Sequence, residues 1–218
     1  MNKKVTTIIM LGRPGSGKGT QAGLVARKIK AKELGTGDLL RNLASEKTYL
    51  AKQLAPILKQ GKLVPTWLAS FVWIRELGNM RPEQKIIFDG SPRTLLEAKM
   101  LDEVLAWYGR NKKIVILIDI NAKESVKRLL IRRICVSCRT PVRKVVYKNV
   151  ETRCSVCRGK LVRRNDDNPK IVQKRLKIFD KDVRPILRHY RAGGLLKVVN
   201  GKQDPDKVIG DILKIINS

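Results

Sequence analysis

Apolar and polar positions follow two rhythms along this chain. Four short runs rich in Val and Ile, VTTIIML at 5–11, KIIFDG at 85–90, KIVILIDI at 113–120 and LLKVVN at 195–200, are nearly continuous in apolar character. Strands read this way when both faces of a parallel sheet are covered. Between them apolar residues recur every three to four positions. That spacing predicts helices over about 18–31, 37–45, 47–60, 66–78, 94–108, 122–132, 168–192 and 205–216, most with Gly, Pro or Asn near their ends. Strands alternating with helices predict an α/β fold with a parallel sheet flanked by helices. Residues 133–167 keep neither rhythm and predict a small β-rich insertion, while the helices of 37–78 form a long excursion between the first two strands. No repeat or low-complexity linker divides the 218 residues, so one domain spanning 1–218 is expected.

Charge narrows the range of partners. Lys and Arg number 47 against 19 Asp and Glu, a net +28, which favours nucleotides, nucleic acid or an acidic membrane surface. From 123 to 175 there are 17 basic and 4 acidic residues, or +13, and the remaining +15 is spread as expected of a solvated surface. The apolar run near the N-terminus is too short for a signal peptide and leads into a glycine-rich motif. No stretch approaches the ~20 apolar residues of a membrane helix. A cytoplasmic protein is therefore expected.

The motif GRPGSGKGT at 12–20 follows a predicted strand and opens a predicted helix, the context in which G-x-x-x-x-G-K binds phosphate. Glycines let successive N–H groups and the helix N-terminus face one anion, and Lys18 adds a charge that reaches the β- and γ-phosphates. Gly19 follows Lys18, so Thr20 comes one position late for the usual hydroxyl contact to Mg²⁺. Asp89 ends the second strand, where an acid can orient Mg²⁺ or its waters.

All four cysteines lie in the β-rich insertion as Cys135-x₂-Cys138-x₁₅-Cys154-x₂-Cys157. Two tight turns at this spacing bring four thiolates to one tetrahedral metal, with zinc ahead of iron and disulfides or free thiols as the remaining reading. Four protein ligands leave no open position, so such a metal is structural. A segment of about 35 residues has too small a core to order itself without one.

GRPGSGKGT at 12, GTGDLLR at 35, GKLVP at 61, FDGSPRT at 88, RLLIRRICVSC at 128, LVRRNDD at 161 and KRL at 174 together resemble the adenylate kinases of the long, zinc-lid type, across nearly the whole chain. The resemblance implies a phosphate-loop core, a helical segment at 35–64 that binds the nucleoside monophosphate, and a zinc-binding lid at 131–167. It implies Mg²⁺-dependent transfer from ATP to AMP, giving two ADP. Gly15, Ser16, Gly17, Lys18, Gly19, Thr20, Arg128 and Arg132 would hold ATP, with Arg128 also stacking on its adenine. Thr36, Arg41, Val64, Gly90, Arg93, Glu97, Arg164 and Arg175 would hold AMP. Lys18, Arg93, Arg132, Arg164 and Arg175 would carry the catalysis, because an already ionised acceptor phosphate needs alignment and charge neutralisation and no general base. Asp166 and Asp167 resemble an acid pair near the lid hinge. They also suit an N-cap of the helix that follows.

Four positions depart from the family pattern. Ser91 stands where Phe is usual and Glu97 where Gln is usual, both at the acceptor base. An ionised Glu only accepts hydrogen bonds, which suits guanine's adjacent donors. The other reading turns Glu97 to solvent and leaves AMP to Thr36, Val64 and backbone groups. Thr66 replaces an acid, and Ile131 replaces a lid-hinge Gly, predicting a stiffer hinge. His189, the single histidine, is expected on a helix surface. A kinase for another monophosphate, GMP included, is the enzymatic alternative. A nucleic-acid-binding zinc protein switched by nucleotide is the other, but its ribbon has only Tyr147 for base stacking. The expected molecule is a monomer with no membrane anchor and no obligate nucleic-acid partner.

Overall fold

The computed structural model describes residues 6–60, 62–138, 141–142, 145–146, 149–150, 153–163 and 167–218. Five parallel strands form the central sheet: β1 (Thr7–Leu11), β2 (Lys32–Gly35), β3 (Ile86–Asp89), β4 (Lys113–Asp119) and β10 (Leu196–Asn200), in the order β10-β4-β1-β3-β2. The strands at 7–11, 86–89, 113–119 and 196–200 match the apolar runs. β2 was not predicted: its sequence KELG buries only Leu34 and lies on the sheet edge, so the apolar signal is a single residue.

Side chains on the inner strands alternate between two cores, as the two-residue strand period requires. Ile9, Leu11, Phe88, Val115 and Leu117 face one cluster, with Trp73 of α4 (Thr66–Gly78), Leu101 of α5 (Leu95–Trp107) and Tyr190 of α8 (Arg184–Ala192). Ile8, Met10, Ile87, Ile116 and Ile118 face the other, under α1 (Lys18–Ile29) and α9 (Pro205–Asn217). Each such buried side chain contributes about 1.5–3 kcal/mol, and Trp73 and Phe88 add an edge-to-face contact at 5.9 Å.

The excursion after β2 folds as α2 (Thr36–Ala44) and α3 (Tyr49–Lys59), which pack Leu40, Leu43 and Leu54 against Leu68 and Val72 of α4. After α6 (Ala122–Ile131) come β5 (Arg133–Cys135), β6 (Pro141–Val142), β7 (Val145–Val146), β8 (Asn149–Val150) and β9 (Leu161–Val162). β5 pairs antiparallel with β6 and β9, and β7 with β8. The helix predicted at 168–192 is α7 (Pro169–Ile178), a π-helical turn at Phe179–Val183, and α8. Asn168 caps it, accepting from the Ile171 N–H at 3.0 Å, so the expected Asp cap is replaced by Asn168. His189 is not a plain surface residue: it is partly buried, and its Nε2 meets Asp102 at 2.7 Å.

Candidate functional site

The carboxyl ends of β1, β2, β3 and β4 open on one side of the sheet, the side where parallel α/β folds bind ligands. The loop after β1 turns into α1 through Gly17, whose φ of 96° lies in the left-handed region. Arg13 anchors this loop from within. Its guanidinium donates to the Ile120 carbonyl at 2.9 Å, pairs with Asp119 and Asp180 at 3.4 Å and lies 4.9 Å over the Phe179 ring. Nothing in the motif marks Arg13, because its partners come from distant strands and helices.

Lys18 is partly buried at the floor of the cleft, and the loss of solvent around its ammonium lowers its pKa to about 8. Asp89 opposes the shift, while Arg175, Arg93 and Arg132 add to it. Three of the predicted arginines therefore act on Lys18. Asp89 shifts the other way, upward, through burial, with Lys18 and Arg93 restraining it. Its Oδ1 is buried and has no hydrogen-bond partner among the described residues. The departure at Gly19 is explained here, since a Cβ at that position would stand 2.7 Å from Asp89 Oδ2. The sequence reading missed Glu33. Its residue is exposed as a whole, but its carboxylate tucks in beside Gly23, and burial followed by Asp89 and Asp38 pushes it up to about 7.

Two cavities meet at this point. One, of about 680 Å³, is lined by Lys18, Arg93, Arg175, Pro14 and Phe179 among others. The other, of about 310 Å³, is lined by Thr36, Val64, Thr66, Ser91, Thr94 and Glu97 among others. Leu63, Gly90 and Arg93 belong to both. The Arg93 side chain donates from Nε to the Gly90 carbonyl at 2.7 Å, and Arg41 pairs with Asp38 at 2.5 Å beside Gly37.

Glu97 does not turn to solvent: it is 2% exposed. One oxygen accepts from Ser91 Oγ at 2.5 Å and the other from the Arg93 N–H at 2.7 Å. Thr36 Oγ1 donates in turn to Ser91 at 2.8 Å. Thr94, as N-cap of α5, accepts from the Glu97 N–H and so holds the residue at the first turn. Ser91 thus fills the usual Phe position with a hydroxyl that serves the carboxylate.

At the lid, Arg132 clamps Asp167 with two hydrogen bonds of 2.6 and 2.7 Å, and Arg175 reaches the same carboxylate at 3.5 Å. Asp167 is almost fully buried. Arg128 is separately held, by Glu124 at 2.6 Å and the Gly201 carbonyl at 2.9 Å. Arg164 and Asp166 lie outside the described residues.

The sulfur atoms of Cys135, Cys138, Cys154 and Cys157 all lie within 4.8 Å of one another, with pairs at 3.4 and 3.6 Å. No disulfide joins them. A zinc–sulfur tetrahedron with bonds of ~2.3 Å has edges of ~3.8 Å, so the donor set fits one tetrahedral ion. The Cys138 N–H leads the groups that lower the Cys135 thiol. Cys157 accepts from the Gly159 N–H, which lowers it, yet neighbouring Cys135 and Cys138 push it up to about 11. Four thiols this close cannot all ionise unless a cation joins them.

The model of the family described as Adenylate kinase matches residues 10–195. The chain is similar to the adenylate kinase of Thermosipho africanus, 35% identical over 210 residues, or 96% of this chain and 98% of that one. It is equally similar, at 35%, to the adenylate kinase of Dehalococcoides mccartyi over 209 residues and to that of Staphylococcus aureus over 211, again covering 96% of this chain and 97% or 98% of the relative.

Proposed function

Since the chain belongs to the adenylate kinase family and carries out reversible phosphoryl transfer from ATP to AMP, giving two ADP, we propose that Lys18, Arg93, Arg132 and Arg175 neutralise the phosphoryl group in flight. The observation that carries this reading is that Lys18, Arg93 and Arg175 line one cavity, with Arg132 also acting on Lys18, a set of like charges whose cost an oligophosphate removes. The loop from Gly15 to Thr20 cradles the donor phosphates. Arg41 turns from Asp38 to the acceptor phosphate beside Arg93. Arg128 flanks the donor adenine, and Arg164 joins the cation set on resemblance alone.

Adenylate kinases use Mg²⁺ with ATP, and the unpartnered Asp89 Oδ1 beside Lys18 suits an acid that orients the ion or its waters. When bound, Mg²⁺ would supply Lewis-acid neutralisation of the phosphate charge. The protein's part is to align the two phosphates and exclude water. Residues 35–64 hold the acceptor nucleotide and 131–167 form the lid, whose four cysteines take one structural zinc.

Glu97 and Ser91 assign a sense to the acceptor pocket. The Thr36 to Ser91 to Glu97 hydrogen-bond chain runs toward the carboxylate, which lines the acceptor cavity as an acceptor and suits a donor such as the N6 amino group of AMP. ADP formation measured with Mg·ATP and, separately, AMP, GMP, CMP and UMP tests the whole reading. AMP is expected to be the preferred acceptor, and failure to form ADP from AMP would overturn it.

A further inference from the structure

The long helix behind the cleft carries a charge pattern that phosphoryl transfer does not use. From Pro169 to Ala192, α7, the π-helical turn and α8 run without a break in right-handed helical backbone. On its inner side Val172, Leu176, Phe179, Val183, Ile186 and Tyr190 recur at intervals of 4, 3, 4, 3 and 4, and all are buried or partly buried. Two residues ahead of each stands a cation: Lys170, Lys174, Lys177, Lys181, Arg184 and Arg188, with Arg191 continuing the series. All seven are exposed. Two residues correspond to about 200° around a helix, so the cations form a ridge opposite the core stripe. Arg175 is off the ridge, turned to Asp167 and the cleft.

A solvated helix face ordinarily mixes both signs of charge. Here six successive pairs of like charges stand at i,i+3 or i,i+4, where each pair opposes helix formation. Among the described residues only Arg184 of the seven is ion-paired, to Asp180 at 2.9 Å. A ridge kept against its own repulsion is matched by an anion outside the molecule. The ridge is one charge wide and about 32 Å long at 1.5 Å per residue, with a cation every ~5 Å. A ridge one charge wide fits along a single row of phosphates on the rim of a B-form groove, where 32 Å spans about nine base pairs and no base edge is met. An anionic membrane fits less well, because the apolar side of this helix is inside the core and its outer side exposes no large apolar residue. A single strand fits less well because the ridge offers no aromatic ring for stacking.

We propose that this ridge is a second binding surface, separate from the cleft, that takes the phosphate backbone of duplex DNA without reading its sequence. The test is a fluorescence-anisotropy titration of the full chain against a labelled duplex of about 30 base pairs between about 50 and 200 mM salt. It compares the wild type with a ridge variant (Lys174→Glu, Lys181→Glu, Arg188→Glu) and a variant of equal net charge on other exposed lysines (Lys28→Glu, Lys99→Glu, Lys207→Glu). Affinity is expected to fall steeply with salt, to drop at least about thirtyfold in the ridge variant and to change less than about threefold in the other. Both variants should retain kinase turnover. If the ridge variant loses turnover, the neutral set Lys174→Gln, Lys181→Gln, Arg188→Gln replaces it, and the same loss of affinity is expected. Equal losses in the ridge and control variants would assign binding to bulk charge and overturn the proposal, as would no binding at the lowest salt. Tighter binding to an RNA duplex of the same length, or to phosphatidylserine vesicles, would overturn the choice of DNA.

Discussion

Lys18 holds its charge at a cost that burial and three arginines impose, and its pKa of about 8 puts that cost within reach of ordinary buffers. The protonated form, which the phosphates require, predominates below about 8 and is lost as pH rises through it. In the proposed role, kcat/KM for Mg·ATP should therefore decline above pH 8 in a profile of the wild type. Lys18→Arg, always charged, should lose that inflection even where its overall rate is lower. Glu97 makes a second prediction. Its carboxylate accepts from Ser91 and Arg93 at once, and a Gln there must turn its amide N–H₂ toward one of them or toward the base. Glu97→Gln should raise the ratio of kcat/KM for AMP over GMP by about tenfold, since the amide can donate to adenine N1. The residue types at these positions were legible in the sequence, but their environment was not. No spacing rule says that Glu97 points inward, that Gly19 leaves room for Asp89, or that Glu33 leans toward the same site.

The strands the sequence announced were nearly unbroken runs of apolar residues, buried through most of β1, β3 and β4, because a covered parallel strand needs no alternation to be seen; β10 was announced by the same composition although only Val199 of it is buried. β2 escaped for the opposite reason, being an edge strand held by pairing with β3 more than by its own side chains. The π-helical turn was equally hidden, since the apolar spacing of 4 and 3 continues through it unchanged. In the lid, the cysteine spacing alone predicted the cluster, and its strands of two or three residues follow from it. Such short pairings do not order a module unaided. Stripping zinc with a chelator should therefore release one ion per chain, abolish protection of the lid from protease and cut turnover at least tenfold. The far-ultraviolet helix signal of the core should persist. A metal assay with no zinc released would remove that account of the lid.

For the molecule as a whole, the proposed catalysis brings parts that are far apart in sequence into one electrostatic field. Arg132 follows α6, Arg175 belongs to α7, Arg93 precedes α5, and all three act on Lys18. Because these charges matter most when the lid has shut out water, Arg132→Ala should lower kcat by about a hundredfold while changing the KM for ATP less than about threefold. Steady-state kinetics on the variant decides the matter, and a lost affinity with intact turnover would remove Arg132 from the reacting centre. The Asp167 clamp has one more consequence. Arg132 and Asp167 stand at the points where the chain departs into the lid and returns from it, and their side chains touch. The thirty-four residues between them are thus a loop closed at its neck, which a lineage or a designer can exchange for one of another length, with or without a metal, while the chain on either side keeps its path.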